Sequence, residues 1–90
     1  MLQIKSTKTF EKDVKRSEKR GKDLVKLKEA MRLLAEEKQL PPKYKDHPLS
    51  GNYVNRRECH IEPDWLLIYK KEPIVIIFER TGTHSDLFKN

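Results

Sequence analysis

Three histidines and one aspartate carry most of the chemistry available to this 90-residue chain. His47 stands in KDHPL, His60 in ECHIEPDW and His84 in TGTHSD; Asp64 follows His60 across a proline and is followed at once by Trp65. Imidazole, with an ordinary pKa near ~6.5, can give or take a proton at neutral pH. Cleaving RNA through its own 2′-hydroxyl needs a base for that proton and an acid for the leaving 5′-oxygen. It also needs positive charge on the phosphorane-like transition state, which Arg80 and nearby lysines can supply. Asp64 can act as a base only if its pKa is raised; otherwise it can orient a histidine. Trp65 and Phe88 offer flat rings on which bases stack. Trp65 also has a plainer reading, because a large apolar residue opening a buried strand is usually core.

The same residue types can bind zinc. Twelve residues separate His47 from His60 and twenty-three separate His60 from His84, and there is no HExxH and no CxxC. Cys59 is the single cysteine, so no internal disulfide forms and no thiol pair awaits a metal. The expectation is a site without metal or other cofactor.

These residues must be brought together by the elements around them. Leu2 to Lys5 alternate as a short strand, and Ser6 or Thr7 can cap a helix. Phe10, Val14 and Ser17 form a thin helical stripe that Gly21 ends. Leu24, Leu27, Met31, Leu34 and Ala35 form a fuller one, with Pro41 and Pro42 as its stop. YKDHPLSGNY is rich in turn formers and reads as a loop. From Asn55 to Glu62 the pattern alternates, with Cys59 and Ile61 on one face and Glu58, His60 and Glu62 on the other. Trp65–Tyr69 and Ile74–Phe78 read as buried strands joined by a turn at residues 70–73. The pattern predicts one α+β domain over residues 1–90: an N-terminal strand and two antiparallel helices packed on one face of a mostly antiparallel sheet. Pairing of the last strands would bring His60, Asp64 and the strand end at Arg80 together.

Residues 1–45 hold fourteen basic and seven acidic residues, a balance of +7, while residues 46–90 hold six and seven. A basic half attracts polyanions. No run reaches the roughly 18 apolar residues that span a bilayer, and the N-terminus has no apolar signal core, so a cytoplasmic protein with no membrane contact is expected.

YKDHPLSGNY, RECHIEPDWLLIYK and FERTGTHSDLF together resemble the YafQ group of the RelE/ParE superfamily, the toxin halves of bacterial type II toxin–antitoxin modules. The resemblance runs from the first strand to Phe88. It implies a RelE-like fold and a metal-independent mRNA interferase, an endoribonuclease that enters the ribosomal A site and cuts mRNA at codons. The family's active-site positions fall on His47, His60, Asp64, Trp65, His84 and Phe88, with Arg80 as a phosphate contact. By residue type and expected location, His84 is expected to be the acid, Asp64 or His47 the base, and His60 the group that steadies the phosphate charge or orients its neighbours. The implied partners are the ribosome, through 16S rRNA and A-site mRNA, and a small antitoxin whose acidic or amphipathic segment covers the basic face; the free chain is expected to be a monomer. A ParE-like action on gyrase and a non-catalytic RNA- or protein-binding module are the alternatives; the histidine set speaks against the first, and a change at His84 would leave the activity of the second intact.

Overall fold

The structure is a computed structural model that describes residues 1–88; the last two residues of the expected 1–90 domain lie outside the described residues. Strand β1 (Gln3–Ser6) leads into helices α1 (Lys8–Lys19) and α2 (Leu24–Ala35). A short strand β2 (His47–Pro48) follows, then β3 (Arg57–Glu62), β4 (Trp65–Lys71), β5 (Val75–Gly82) and a one-turn helix α3 (His84–Leu87). The sheet order is β1-β5-β4-β3-β2. Every neighbouring pair is antiparallel except β1, which runs parallel to β5. This is the expected α+β architecture.

Local chemistry sets the helix ends. Thr7 caps α1 by accepting from Phe10 N–H at 2.9 Å, and Asp23 caps α2 by accepting from Val25 N–H at 3.0 Å. Gly21, at φ 85°, closes α1: its own N–H reaches the Glu18 carbonyl and that of Lys22 reaches Ser17. The two prolines do not stop α2. It ends at Ala35, and Glu37, at φ 58°, makes the equivalent closure, with its own N–H on the Leu34 carbonyl and that of Lys38 on Leu33. A carboxylate residue in the left-handed region gives little sequence signal, so the pattern alone places the stop too late.

The main core lies between the helices and one face of the sheet, where Phe10, Leu27, Ala30 and Ala35 meet Cys59, Trp65, Leu67, Tyr69, Ile76 and Phe78. The opposite face is less open than expected. Leu66 and Ile68 of β4 are covered there by Leu87 of α3 and by Leu49 and Tyr53 from the loop that follows β2. β4 is therefore buried on both faces, which explains its unbroken apolar run.

Trp65 belongs to this core. It is 1% exposed, and its indole N–H donates to Thr81 Oγ1 at 3.0 Å. The expectation that it stacks on bases is corrected: an indole closed in on the helix side of the sheet has no face to offer. Thr81 passes the contact on by donating to the Leu66 carbonyl at 2.7 Å, so the indole locks β4 to β5. Trp65→Ala is expected to cost about 3–5 kcal/mol of stability, the range for a large aromatic deleted from a core. Urea unfolding of wild type and variant checks this; an unchanged midpoint would show the indole to be no core group.

Candidate active site

His47, His60 and His84 come from three separate elements and converge on the sheet face away from α1 and α2. β2 pairs with β3 so that His47 stands opposite Glu58, and β3 pairs with β4 so that His60 stands opposite Leu66. His84 opens α3, immediately after β5. Ring centroids lie 6.2 Å apart for His47 and His60, 5.8 Å for His60 and His84, and 6.4 Å for His84 and Phe88. Tyr53 meets Phe88 edge-on at 5.7 Å. The result is a row of five rings with the imidazoles at one end and two aromatics at the other.

Each histidine is held by a different set of partners. Asp46 accepts from the Tyr69 hydroxyl at 2.6 Å and pairs with Arg57 at 3.4 Å, which pins the segment carrying His47. Burial, and then the Asp46 carboxylate, push the Tyr69 phenol up, so it remains a donor. His47 Nδ1 lies 2.6 Å from the Lys45 carbonyl oxygen. A carbonyl only accepts, so that nitrogen carries the N–H and Nε2 is turned to the Glu58 carboxylate at 3.2 Å. His60 is arranged in the same way, with Nδ1 at 3.3 Å from the Pro63 carbonyl and Nε2 at 3.4 Å from the same Glu58 oxygen. The irregular register between His60 and Glu62, followed by the Pro63–Asp64 turn, brings that carbonyl round to the ring.

His84 is held by Asp64. One carboxylate oxygen accepts from the His84 backbone N–H at 2.8 Å and from its Nδ1 at 2.6 Å, leaving Nε2 directed away from the pair. These two contacts, the backbone one first, hold the Asp64 carboxyl below its ordinary value. A base would need the opposite shift, so the expectation that Asp64 takes the substrate proton gives way to its other reading, that it orients a histidine. Behind them, Thr83 and Asp86 form a reciprocal cap on α3. Asp86 also binds Arg20 at 2.7 Å and lies 3.7 Å from Arg16. Gly82 leaves room for this packing, since a Cβ there would lie 2.9 Å from Asp86 Oδ2.

Arg80 is half-buried, and its Nε and Nη2 donate to the two Asp13 oxygens at 2.7 and 3.3 Å. Nη1 is not engaged by that carboxylate, and the Tyr53 hydroxyl neighbours the same guanidinium. Phe88, 39% exposed, retains a usable ring face.

Three contributors gave no sequence signal. Glu58 is buried, joins His47 to His60 through one oxygen, and has no hydrogen-bond partner on the other among the described residues. Asp13 and Tyr53 are the others. Glu58 alternates with His60 on a face that reads as solvated, and only the two-residue strand β2 closes over it. A ligand atom from each of His47, Glu58 and His60 lies within 4.8 Å of the others. Two imidazoles and a carboxylate suit a transition metal such as zinc or copper, a grouping that strand pairing makes and that linear spacing hid. Cys59 lies beneath them, its thiol pushed up to about 12 mainly by burial and thus inert.

Comparison with known proteins gives a consistent result. A family model described as the bacterial toxin of a type II toxin–antitoxin system, YafQ, matches residues 2–89. The mRNA interferase toxin YafQ of Escherichia coli K12 is 52% identical over 80 residues, 88% of this chain and 87% of that protein. A chain in the crystal structure of the E. coli DinJ–YafQ complex superposes with a TM-score of 0.92 at 48% identity, covering 98% of this chain and 99% of that one. A metal-bound toxin from Helicobacter pylori superposes equally well, at 0.92 and 46% identity, over 98% and 100% of the two chains.

The anchoring of α3 carries a pH signature. Arg20, followed by the cap contacts from Thr83, holds the Asp86 carboxyl far below its ordinary 3.8. Its folded pKa lies below its unfolded one, so its contribution is complete above about pH 4 and is lost as the pH falls from there toward the depressed value. Asp86→Asn is therefore expected to be less stable than wild type at neutral pH, with the gap closing in acid. Urea midpoints at about pH 7 and about pH 2 test this, and a gap independent of pH would show that Asp86 acts without its charge.

Proposed function

The chain belongs to the YafQ family of bacterial type II toxin–antitoxin toxins, and from that premise we propose that it is an endoribonuclease that cuts mRNA in the ribosomal A site by metal-independent acid–base catalysis. The observation that carries the reading is the row of three imidazoles, with Glu58 against His47 Nε2 at one end and Asp64 against His84 Nδ1 at the other. His47 and His84 flank His60, so a phosphate seated over His60 has a proton acceptor on one side and a proton donor on the other. His47 Nε2 takes the proton of the 2′-hydroxyl, whose oxygen attacks phosphorus. That proton arrives on the nitrogen that faces Glu58 at 3.2 Å, so the carboxylate meets the new N–H directly and offsets the charge of the imidazolium. His84 gives its Nε2 proton to the departing 5′-oxygen while Asp64 holds Nδ1. A 2′,3′-cyclic phosphate and a free 5′-hydroxyl result.

His60 and the Arg80 guanidinium supply positive charge for the phosphate as its transition state develops. Phe88, with Tyr53 edge-on against it, offers a surface for a base. The basic surface of residues 1–45 favours approach to ribosomal RNA. It also suits an acidic antitoxin segment, the kind of partner that the DinJ–YafQ complex of the relative brings to mind.

Mapping 5′ ends of mRNA during translation, with wild type and His84→Ala side by side, tests the reading. Wild type is expected to cut at a recurrent codon position, and the variant to cut at least about 10²-fold more slowly, the low end for loss of a general acid. Equal cutting by both would remove His84 from the chemistry, and cutting by neither would return the gyrase and binding-module readings.

Acid–base catalysis and metal binding compete for the same nitrogens, because a metal on His47 and His60 would occupy the proton acceptor. Added Zn²⁺ is expected to slow cutting, and EDTA to leave it intact. Loss of activity in EDTA, restored by Zn²⁺, would make the metal a participant and overturn the metal-independent mechanism.

A further inference from the structure

The row of rings accounts for the scissile phosphate and, at Phe88, for a base on one side of it. On the other side, beyond His60, lies a cavity of about 690 Å³ that the reaction has not used. That volume is within the range for small-molecule sites. Three elements wall it: the start of α2 at Val25, Lys26 and Glu29, the turn at residues 43–45, and the end of β3 from His60 to Pro63.

Its charge is unbalanced in one direction. Glu62 is neutralised by Lys22 at 2.8 Å and by Lys26 at 3.1 Å, and Glu29 by Arg32 at 2.6 Å. Lys43 and Lys45 make no ion pair among the described residues; Lys43 Nζ lies over the Tyr44 ring, 5.4 Å from its centre. Two cations on the rim are thus without an ion-pair partner among the described residues. Between them and His60 the wall includes apolar surface from Ile61, Pro63 and Val25, the last 71% exposed.

Backbone geometry adds a second argument. β2 pairs only with Arg57 and Glu58, so from Cys59 onward the outer edge of β3 has no strand partner among the described residues. An open edge offers peptide groups to the polar rim of a base or a ribose. Lys45 adopts φ 48°, uncommon for a side chain of its kind. In that conformation its carbonyl faces His47 Nδ1 at 2.6 Å, and the residue forms part of the cavity wall. One residue thus orients a histidine and supplies a cation to the neighbouring space.

We propose that this cavity is a nucleotide subsite. It takes the nucleotide next to the scissile phosphate on the side opposite Phe88, with its base against Val25 and Pro63 and its outer phosphate between Lys43 and Lys45. The inference rests on the nuclease reading and assigns to α2 and the residue 43–45 turn a share in choosing where the strand is cut.

Cutting of mRNA on translating ribosomes tests it with three variants. Lys43→Gln/Lys45→Gln removes the rim charge, and Val25→Trp fills the cavity from an exposed position. Lys8→Gln/Lys12→Gln on α1 makes the same change of charge outside the cavity. Thermal melts first establish that all three fold. The rim pair is expected to lose at least about tenfold more kcat/KM than the α1 pair, as loss of charge-assisted phosphate contacts implies. Val25→Trp is expected to shift the preference at the adjoining nucleotide from purine toward the smaller pyrimidine. Equal losses from the two lysine pairs, with an unchanged preference in Val25→Trp, would overturn the subsite and leave the nuclease standing. A wild type that cuts nothing would sink the nuclease reading and this inference together.

Discussion

The architecture depends on one buried carboxylate. Asp13 is 2% exposed on α1, facing the part of β5 that β1 does not reach. β1 pairs with residues 75–78 only, which leaves the far half of β5 without a strand neighbour on that side. Asp13 fills the gap: it accepts from the Thr81 backbone N–H at 3.1 Å, from Arg80 through two nitrogens, and from Arg16 at 2.8 Å. A buried charge is costly, and only several donors at once make it tolerable. Once they are in place, α1 cannot shift without stranding a backbone N–H and two guanidinium groups. The helical layer is thereby clamped to the strand that ends at His84.

From that clamp the site follows by short steps. Thr81 takes the Trp65 indole N–H and passes its own hydroxyl to the Leu66 carbonyl, so β4 is fixed against β5. Gly82 leaves space for Asp86, which closes α3 and binds back to α1 through Arg20. His84 begins α3, and Asp64, from the β3–β4 turn, reaches its backbone and its ring together. Two exposed residues twenty positions apart thus hold a fixed geometry because their elements are anchored by buried polar contacts below. Exposed pairs alone contribute little to stability. Here the exposed pair orients a ring, and the buried network carries the stability.

The sequence made the convergence of the histidines legible because strand pairing follows from hydrophobic pattern. β4 and β5 are apolar runs joined by a short turn, and β3 alternates cleanly up to His60. Once those three strands pair antiparallel, His60, Asp64 and the end of β5 have to meet. What stayed hidden were the charged residues that face inward. Asp13 sits beside the thin Phe10, Val14 and Ser17 stripe of a helix that is otherwise charged, and its burial depends on how short β1 is. Glu58 looks like the polar face of a strand until two residues of loop fold over it. In both cases a long-range partner decides burial, and pattern along the chain carries no record of that partner. Trp65 was ambiguous for a related reason: an indole suits a core and a base platform equally, and only its position on the helix side of the sheet decides.

Glu58 shows how the two halves of the problem combine. Its unsatisfied oxygen would be a defect in a purely structural carboxylate, since an orphaned buried acceptor costs about 1–3 kcal/mol or more. Stability alone would favour an apolar residue opposite Ile68. Yet the cost falls where two imidazoles face a single carboxylate oxygen, each with its other nitrogen fixed by a backbone carbonyl. A neutral side chain there would leave both Nε2 atoms without a charge to meet an incoming proton. Fold stability is thus given up at the place where the positioning of protons gains most from it, the kind of local exception to packing rules that marks functional sites.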